Sequence, residues 1–189
     1  MHIYLMKSSS LSLLSIAFLF ASCENITSTK SKEINLYADI PALVITLESE
    51  LIKSNPSIQK TVQVDTKTEK IIAKNIDWEK ELTLFQELNL NKSALRGQFI
   101  EEKSKDGSLK YTAREKDMLI QVLEMKFDSK TQKPQHILAF WKNSNVLYET
   151  SRSLSMELVD GKLYKYSVDT NQKLKFGKMQ RLRVEGIVL

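Results

Sequence analysis

The run Met118-Leu119-Ile120-Gln121-Val122-Leu123-Glu124-Met125-Lys126-Phe127 is followed by a polar stretch, Lys130 to Pro134, and then by Gln135 to Lys142. Leu119, Leu123, Met125 and Phe127 share one parity, and successive side chains of a strand point to opposite faces. The two runs therefore read as antiparallel strands joined by a turn. The same reading extends in both directions. Upstream, Gln98-Phe99-Ile100 and Leu109-Lys110-Tyr111-Thr112 flank Asp106-Gly107, a strong hairpin dipeptide. Downstream, Val146 to Val159 is extended, Asp160-Gly161 turns into Lys162 to Val168, and Lys173 to Phe176 and Gln180 to Val188 follow. Parallel pairing needs crossovers of a dozen or more residues, and none separates these runs. An antiparallel meander is expected.

Before residue 94 the period is different. Asp39 is a suitable N-cap and Pro41 falls in the first turn, where its missing N–H costs little. Ile40, Leu43, Val44, Leu47 and Leu51 then recur on one side of a helix that Asn55-Pro56 stops. A second helix is expected from Asp77, with Trp78, Leu82, Phe85 and Leu88 on one face. Thr61 to Val64 and Lys70 to Ala73 flank a polar turn and suggest a small hairpin. Two amphipathic helices and a sheet with unequal faces predict an α+β fold: two N-terminal helices packed on a curved, half-barrel-like antiparallel β-meander, in a single domain of residues 36–189.

The chain has 189 residues, 42% of them hydrophobic and 27% charged, with 28 Lys+Arg against 23 Asp+Glu. That composition is globular. The five glycines, Gly97, Gly107, Gly161, Gly177 and Gly186, form neither a phosphate loop nor a dinucleotide fingerprint. With one cysteine and two histidines, the chain lacks the ligand set of a zinc site, and no cofactor is implied. His136 opens a strand after Pro134 and reads as a surface residue rather than a general base. The acid pairs Glu101-Glu102 and Glu79/Glu81 read as solvated charges, because close neighbours on one element face different ways. Trp78, Phe85, Tyr111, Phe127, Phe140, Trp141, Tyr148, Tyr164 and Tyr166 read as core, or else as the lining of an apolar pocket.

Cations concentrate at the C-terminus. Lys173 and Lys175 alternate with Leu174 and Phe176, and Arg181 and Arg183 alternate with Leu182 and Val184. On strands this sets cations on one face and apolar residues on the other. Lys173, Lys175, Arg181 and Arg183 are the candidates for contact with an anionic surface, against the simpler reading of a solvated sheet face.

The first twenty-two residues read as a targeting segment. Lys7 supplies a positive start, and the apolar stretch from Leu11 to Ala21 falls short of the roughly 20 residues that cross a bilayer as a helix. It ends Leu19-Phe20-Ala21-Ser22-Cys23, which resembles the lipobox of bacterial lipoproteins. The resemblance implies cleavage before Cys23, acylation of that cysteine and a permanent anchor, since two or more acyl chains hold a protein on a bilayer. Phe20 departs from the commoner leucine of the pattern. Glu24, rather than an aspartate, implies the outer membrane by analogy with enteric sorting. Residues 23–35 then form the lipidated cysteine and a flexible tether.

Beyond its targeting segment the chain is similar to small envelope lipoproteins of double-membrane bacteria, a likeness that implies location and no activity. The expected function is a membrane-anchored, non-enzymatic binding or accessory module for an apolar ligand or an envelope protein partner. The alternatives are an envelope hydrolase using dispersed carboxylates, which would need two acids within about 5–10 Å across a cleft, and a structural subunit of an envelope complex. Nucleic acid is not an expected partner.

Overall fold

The computed structural model describes residues 35–189. The targeting segment, Cys23 and nearly all of the tether lie outside the described residues. Among the described residues, nine strands make one antiparallel sheet. In chain order the elements are helix α1 (Ile40–Ser54), strands β1 (Ile58–Val64) and β2 (Lys67–Ala73), and the one-turn helices α2 (Trp78–Glu81) and α3 (Thr83–Gln86). Strands β3 (Phe99–Lys103), β4 (Leu109–Ala113), β5 (Ile120–Phe127), β6 (Pro134–Ser144), β7 (Tyr148–Val159), β8 (Lys162–Leu174) and β9 (Met179–Val188) follow.

This corrects the expected fold class. The molecule is principally a nine-stranded sheet, not a pair of amphipathic helices laid on a half-barrel-like meander. Among the described residues only α1 is a full-length helix, at 15 residues. Asp39 caps it by accepting from the Ala42 N–H, and Asn55 ends it in the left-handed region. The helix expected from Asp77 starts there, with Asp77 accepting from the Lys80 N–H. It breaks at Leu82, where φ −102° and ψ 5° leave the helical region, and yields two four-residue pieces. Among the described residues no helix is long and apolar enough to cross a membrane.

Strands β3 to β9 pair in sequence order, as a meander. The β1–β2 hairpin then joins the same sheet, because β1 pairs along its length with β9, from Ile58 opposite Val188 to Val64 opposite Leu182. The sheet order is therefore β2-β1-β9-β8-β7-β6-β5-β4-β3, with β2 and β3 at the edges. The stretch Lys162–Leu174 is one continuous 13-residue strand rather than two runs with a break.

Of the three register shifts between the described strands, at Ile120/Val122, Lys126/Phe127 and Glu157/Leu158, two rearrange the expected parity. One lies between Ile120 and Val122; it turns Ile120 inward opposite Trp141 and leaves Leu119 exposed. The other lies at Glu157/Leu158; it sets Leu163 inward opposite Leu158 and leaves Tyr164 exposed. The buried row Leu123, Ala139 and Leu154 runs across β5, β6 and β7, with Met125, Ile137 and Met156 beside it. These residues join Ile40, Val44, Leu47 and Leu51 of α1 and Trp78, Leu82, Phe85, Leu88 and Leu90 in a single apolar cluster.

Trp78, Tyr111, Tyr166 and Phe85 are its largest fully buried side chains. Tyr37 stands edge-on to both Phe99 and Tyr111, and Phe85 stands edge-on to Tyr166. Burial pushes the Tyr111 phenol up to about 12. These aromatics are core. Phe140 and Tyr164 are exposed on the sheet, and Phe127, Trp141 and Tyr148 are half-buried.

Candidate functional site

Three places in the fold carry unusual chemistry. The first is a cleft of about 460 Å³ between α1 and the α2–α3 segment, lined by Ile45, Glu48, Ser49, Ile52, Glu79, Lys80, Thr83 and Gln86. Glu48 lies on the buried side of α1, one residue from Leu47, and is only 4% exposed. The Gln86 side-chain N–H₂ group donates to both of its carboxylate oxygens at 2.8 Å. Burial raises the Glu48 pKa, the Gln86 hydrogen bonds oppose that rise, and the nearby Glu79 charge adds to it. Ile45 and Ile52, one on either side along α1, are each 54% exposed. The cleft thus pairs apolar rims with an acidic floor. Such an arrangement suits a segment bearing an apolar side chain beside a cationic or amide group.

Nothing in the sequence analysis singled out Glu48, although a signal was present. Glu48 continues the Val44-Leu47-Leu51 stripe at i+4 from Val44 and i−3 from Leu51, so a helical projection places it on the inward face.

The second place is on the inner face of the sheet. Lys60 of β1 reaches Glu81 at 2.7 Å, and the Tyr166 hydroxyl donates to the same carboxylate. Only 17% of the Glu81 side chain is exposed. The expectation that Glu81 is a solvated charge is corrected here: the turn of α2 lowers it onto the sheet, where a cation and a phenol meet it. Glu79 is exposed, as are Glu101 and Glu102 on edge strand β3. The Tyr166 phenol is held well above its usual range, by burial first and by Glu81 second. It stays neutral and serves as a donor. Close by, the buried Trp78 indole N–H has no hydrogen-bond partner.

The third place is the end of the sheet that holds the expected basic residues. Lys173, Arg181 and Arg183 share one face by register, since Lys173 opposes Met179, Asn171 opposes Arg181 and Asp169 opposes Arg183. That face is not purely cationic. Arg183 lies 3.6 Å from Asp169 and 3.4 Å from Glu185, and Lys165 also pairs with Glu185 at 3.2 Å. Glu149 sits opposite Lys173, and its pKa is lowered chiefly by its bond to Lys142. Lys175 lies past the end of β8, in the hairpin tip. His136 is on β6 between Lys126 and Glu157, half-buried on the sheet.

Comparisons with family models, with curated proteins and with solved structures found no match for this chain.

Proposed function

We propose that the chain is a lipid-anchored, non-enzymatic accessory module of the bacterial cell envelope, held on the outer membrane through Cys23, and that it binds a protein partner in the cleft between α1 and the α2–α3 segment. The lipobox-like run ending at Cys23 supports the anchoring. The observation that carries the partner-binding part is the cleft itself, where half-exposed Ile45 and Ile52 flank the buried Glu48. Between the two expected occupants, the geometry favours a protein segment over an apolar small molecule. Trp78, Phe85, Tyr111 and Tyr166, aromatic candidates for the lining of an apolar cavity, are spent on the packed core. The cleft between α1 and the α2–α3 segment is shallow in apolar surface and has a carboxylate in its floor.

The raised pKa of Glu48 and the presence of Glu79 on the same cleft favour a second reading, a hydrolase in which Glu48 donates a proton. Against it stands the Gln86 amide, which already engages both Glu48 oxygens.

Cross-linking in intact cells, followed by detergent extraction and purification, tests the proposal. Wild-type chain is expected to capture one partner reproducibly, and Ile45→Asp and Ile52→Asp, both at half-exposed positions, are expected to lose it while remaining folded. Equal capture by the variants contradicts the assignment of the cleft. Hydrolysis of envelope glycan or lipid by the wild type that Glu48→Gln abolishes supports the second reading instead.

A further inference from the structure

The tips of the β6–β7 and β8–β9 hairpins lie side by side. The Lys175 N–H donates to the Leu147 carbonyl at 2.9 Å, and Tyr148 pairs with Leu174 across the strands. Both tips present apolar side chains to solvent: Val146 is 76% exposed, Leu147 68% and Phe176 93%, with Leu174 and Met179 about half exposed beside them. Scattered apolar residues are normal on a surface, whereas a contiguous cluster marks an interaction site.

The cluster is held in place. Asn145 Oδ1 accepts from the N–H groups of Leu147 and Tyr148 at 2.8 and 3.0 Å, which fixes the first tip. The Lys175 ammonium lies 5.6 Å from the centre of the Phe176 ring in the second. Around the apolar prow stand Lys142, Lys173, Lys175, Lys178 and Arg181, with two acids among them: Glu149, opposite Lys173, and Asp65, whose Oδ1 accepts from the Arg181 N–H at 3.0 Å. Lys142 and Glu149 pair with each other at 2.9 Å. Lys173, Lys175, Lys178 and Arg181 are all exposed beside the apolar cluster, with Lys173 across the strands from Glu149.

We propose that these two hairpin tips insert at the surface of an anionic bilayer, with Val146, Leu147 and Phe176 entering the headgroup region and Lys173, Lys175, Lys178 and Arg181 meeting lipid phosphates. Charge complementarity selects this occupant. An excess of flexible cations around a small apolar point suits a fluid field of phosphates, while a second copy of the chain would set like charges against one another. The inference goes beyond the partner-binding reading and does not need the acyl anchor, because the tips would bind by themselves.

The apolar core found among the described residues lies within residues 35–189, the piece to test. They are sedimented with vesicles of phosphatidylcholine alone and with vesicles containing a third of phosphatidylglycerol. Binding to the anionic vesicles is expected to be at least about tenfold tighter and to weaken as salt is raised. Phe176→Ser with Leu147→Ser, and separately Lys175→Glu with Lys178→Glu, are each expected to weaken it by about tenfold. All four side chains lie on the tips, so the melting curve should not move. No preference for anionic vesicles overturns the proposal, as does parental binding by either double variant. Association of the chain with itself in place of vesicle binding, reversed by the Phe176 and Leu147 substitutions, also overturns it and assigns the tips to a second copy. Since this piece lacks Cys23, failure here leaves the anchored-module reading standing, and an unacylated Cys23 leaves this one standing.

Discussion

Tyr166 lies across Gly186, its cross-strand partner, so closely that a Cβ at Gly186 would stand 2.3 Å from the tyrosine ring. The glycine is there to make room, and its φ is not among the positive values of the chain. With no side chain at Gly186, the ring can lie over β9 and carry its hydroxyl to Glu81. Gly186→Ala is expected to destabilise the fold by about 3 kcal/mol, the cost of overpacking a ring that is itself fully buried. Urea denaturation measures it. The double variant Gly186→Ala, Tyr166→Leu should recover part of the loss, and strict additivity would show that the two positions are not coupled as described.

The Lys60–Glu81–Tyr166 centre gives an ordered series. Tyr166→Phe removes one donor and leaves Glu81 its lysine, so a loss of about 1 kcal/mol is expected. Glu81→Ala strands a buried phenol and a partly buried ammonium together and is expected to cost about 2 kcal/mol or more. Equilibrium denaturation of the two variants at neutral pH orders them. A Glu81→Ala protein as stable as Tyr166→Phe would show that Glu81 is held by water rather than by the sheet.

Glu48 predicts a pH dependence. Its folded pKa lies above the ordinary 4.5, so the folded state holds more protons than the unfolded chain in the interval just above that value. The contribution of Glu48 to stability is therefore greatest below about pH 4.5 and declines as pH rises through the folded pKa. Glu48→Gln keeps an acceptor for the Gln86 amide and removes the titration. The difference in stability between variant and wild type should shift in favour of the variant as pH rises from 4.5 towards 7. A pH-independent difference would show that burial does not perturb this carboxyl.

Asp39 starts α1, and its side chain satisfies the Ala42 N–H at 3.0 Å. Asp39→Ala should cost about 1 kcal/mol, and Asp39→Ser much less. Thermal melts followed by far-ultraviolet circular dichroism distinguish the two.

What the sequence made legible follows the range of the interactions involved. Local signals marked α1 through Asp39, Pro41 and Asn55, and turn dipeptides placed the hairpins at Asp106-Gly107 and Asp160-Gly161. The pairing of residues 58–64 with residues 182–188 was not legible, because nothing local in either run names a partner more than a hundred residues away. That one pairing draws the N-terminal hairpin into the sheet and sets the architecture apart from the expected helices on a half-barrel. The register shifts near Ile120 and Glu157 were hidden for a related reason: a one-residue slip reverses which side chains face inward without changing the composition of the strand. Of the chemistry, the cation cluster was visible as residue types. Its interleaving with Asp169, Glu185 and Glu149 came only from the register. Glu48 was visible in principle, as a carboxylate on an apolar stripe. Glu81 was not, because its burial depends on the break at Leu82 and on the room left by Gly186.

The envelope assignment rests on Cys23, and the intact mass of the protein purified from its native membranes tests it most directly. The account expects a polypeptide that begins at Cys23 and carries the added mass of two or three acyl chains on that residue. A chain that begins elsewhere, or whose Cys23 bears no acyl group, contradicts it.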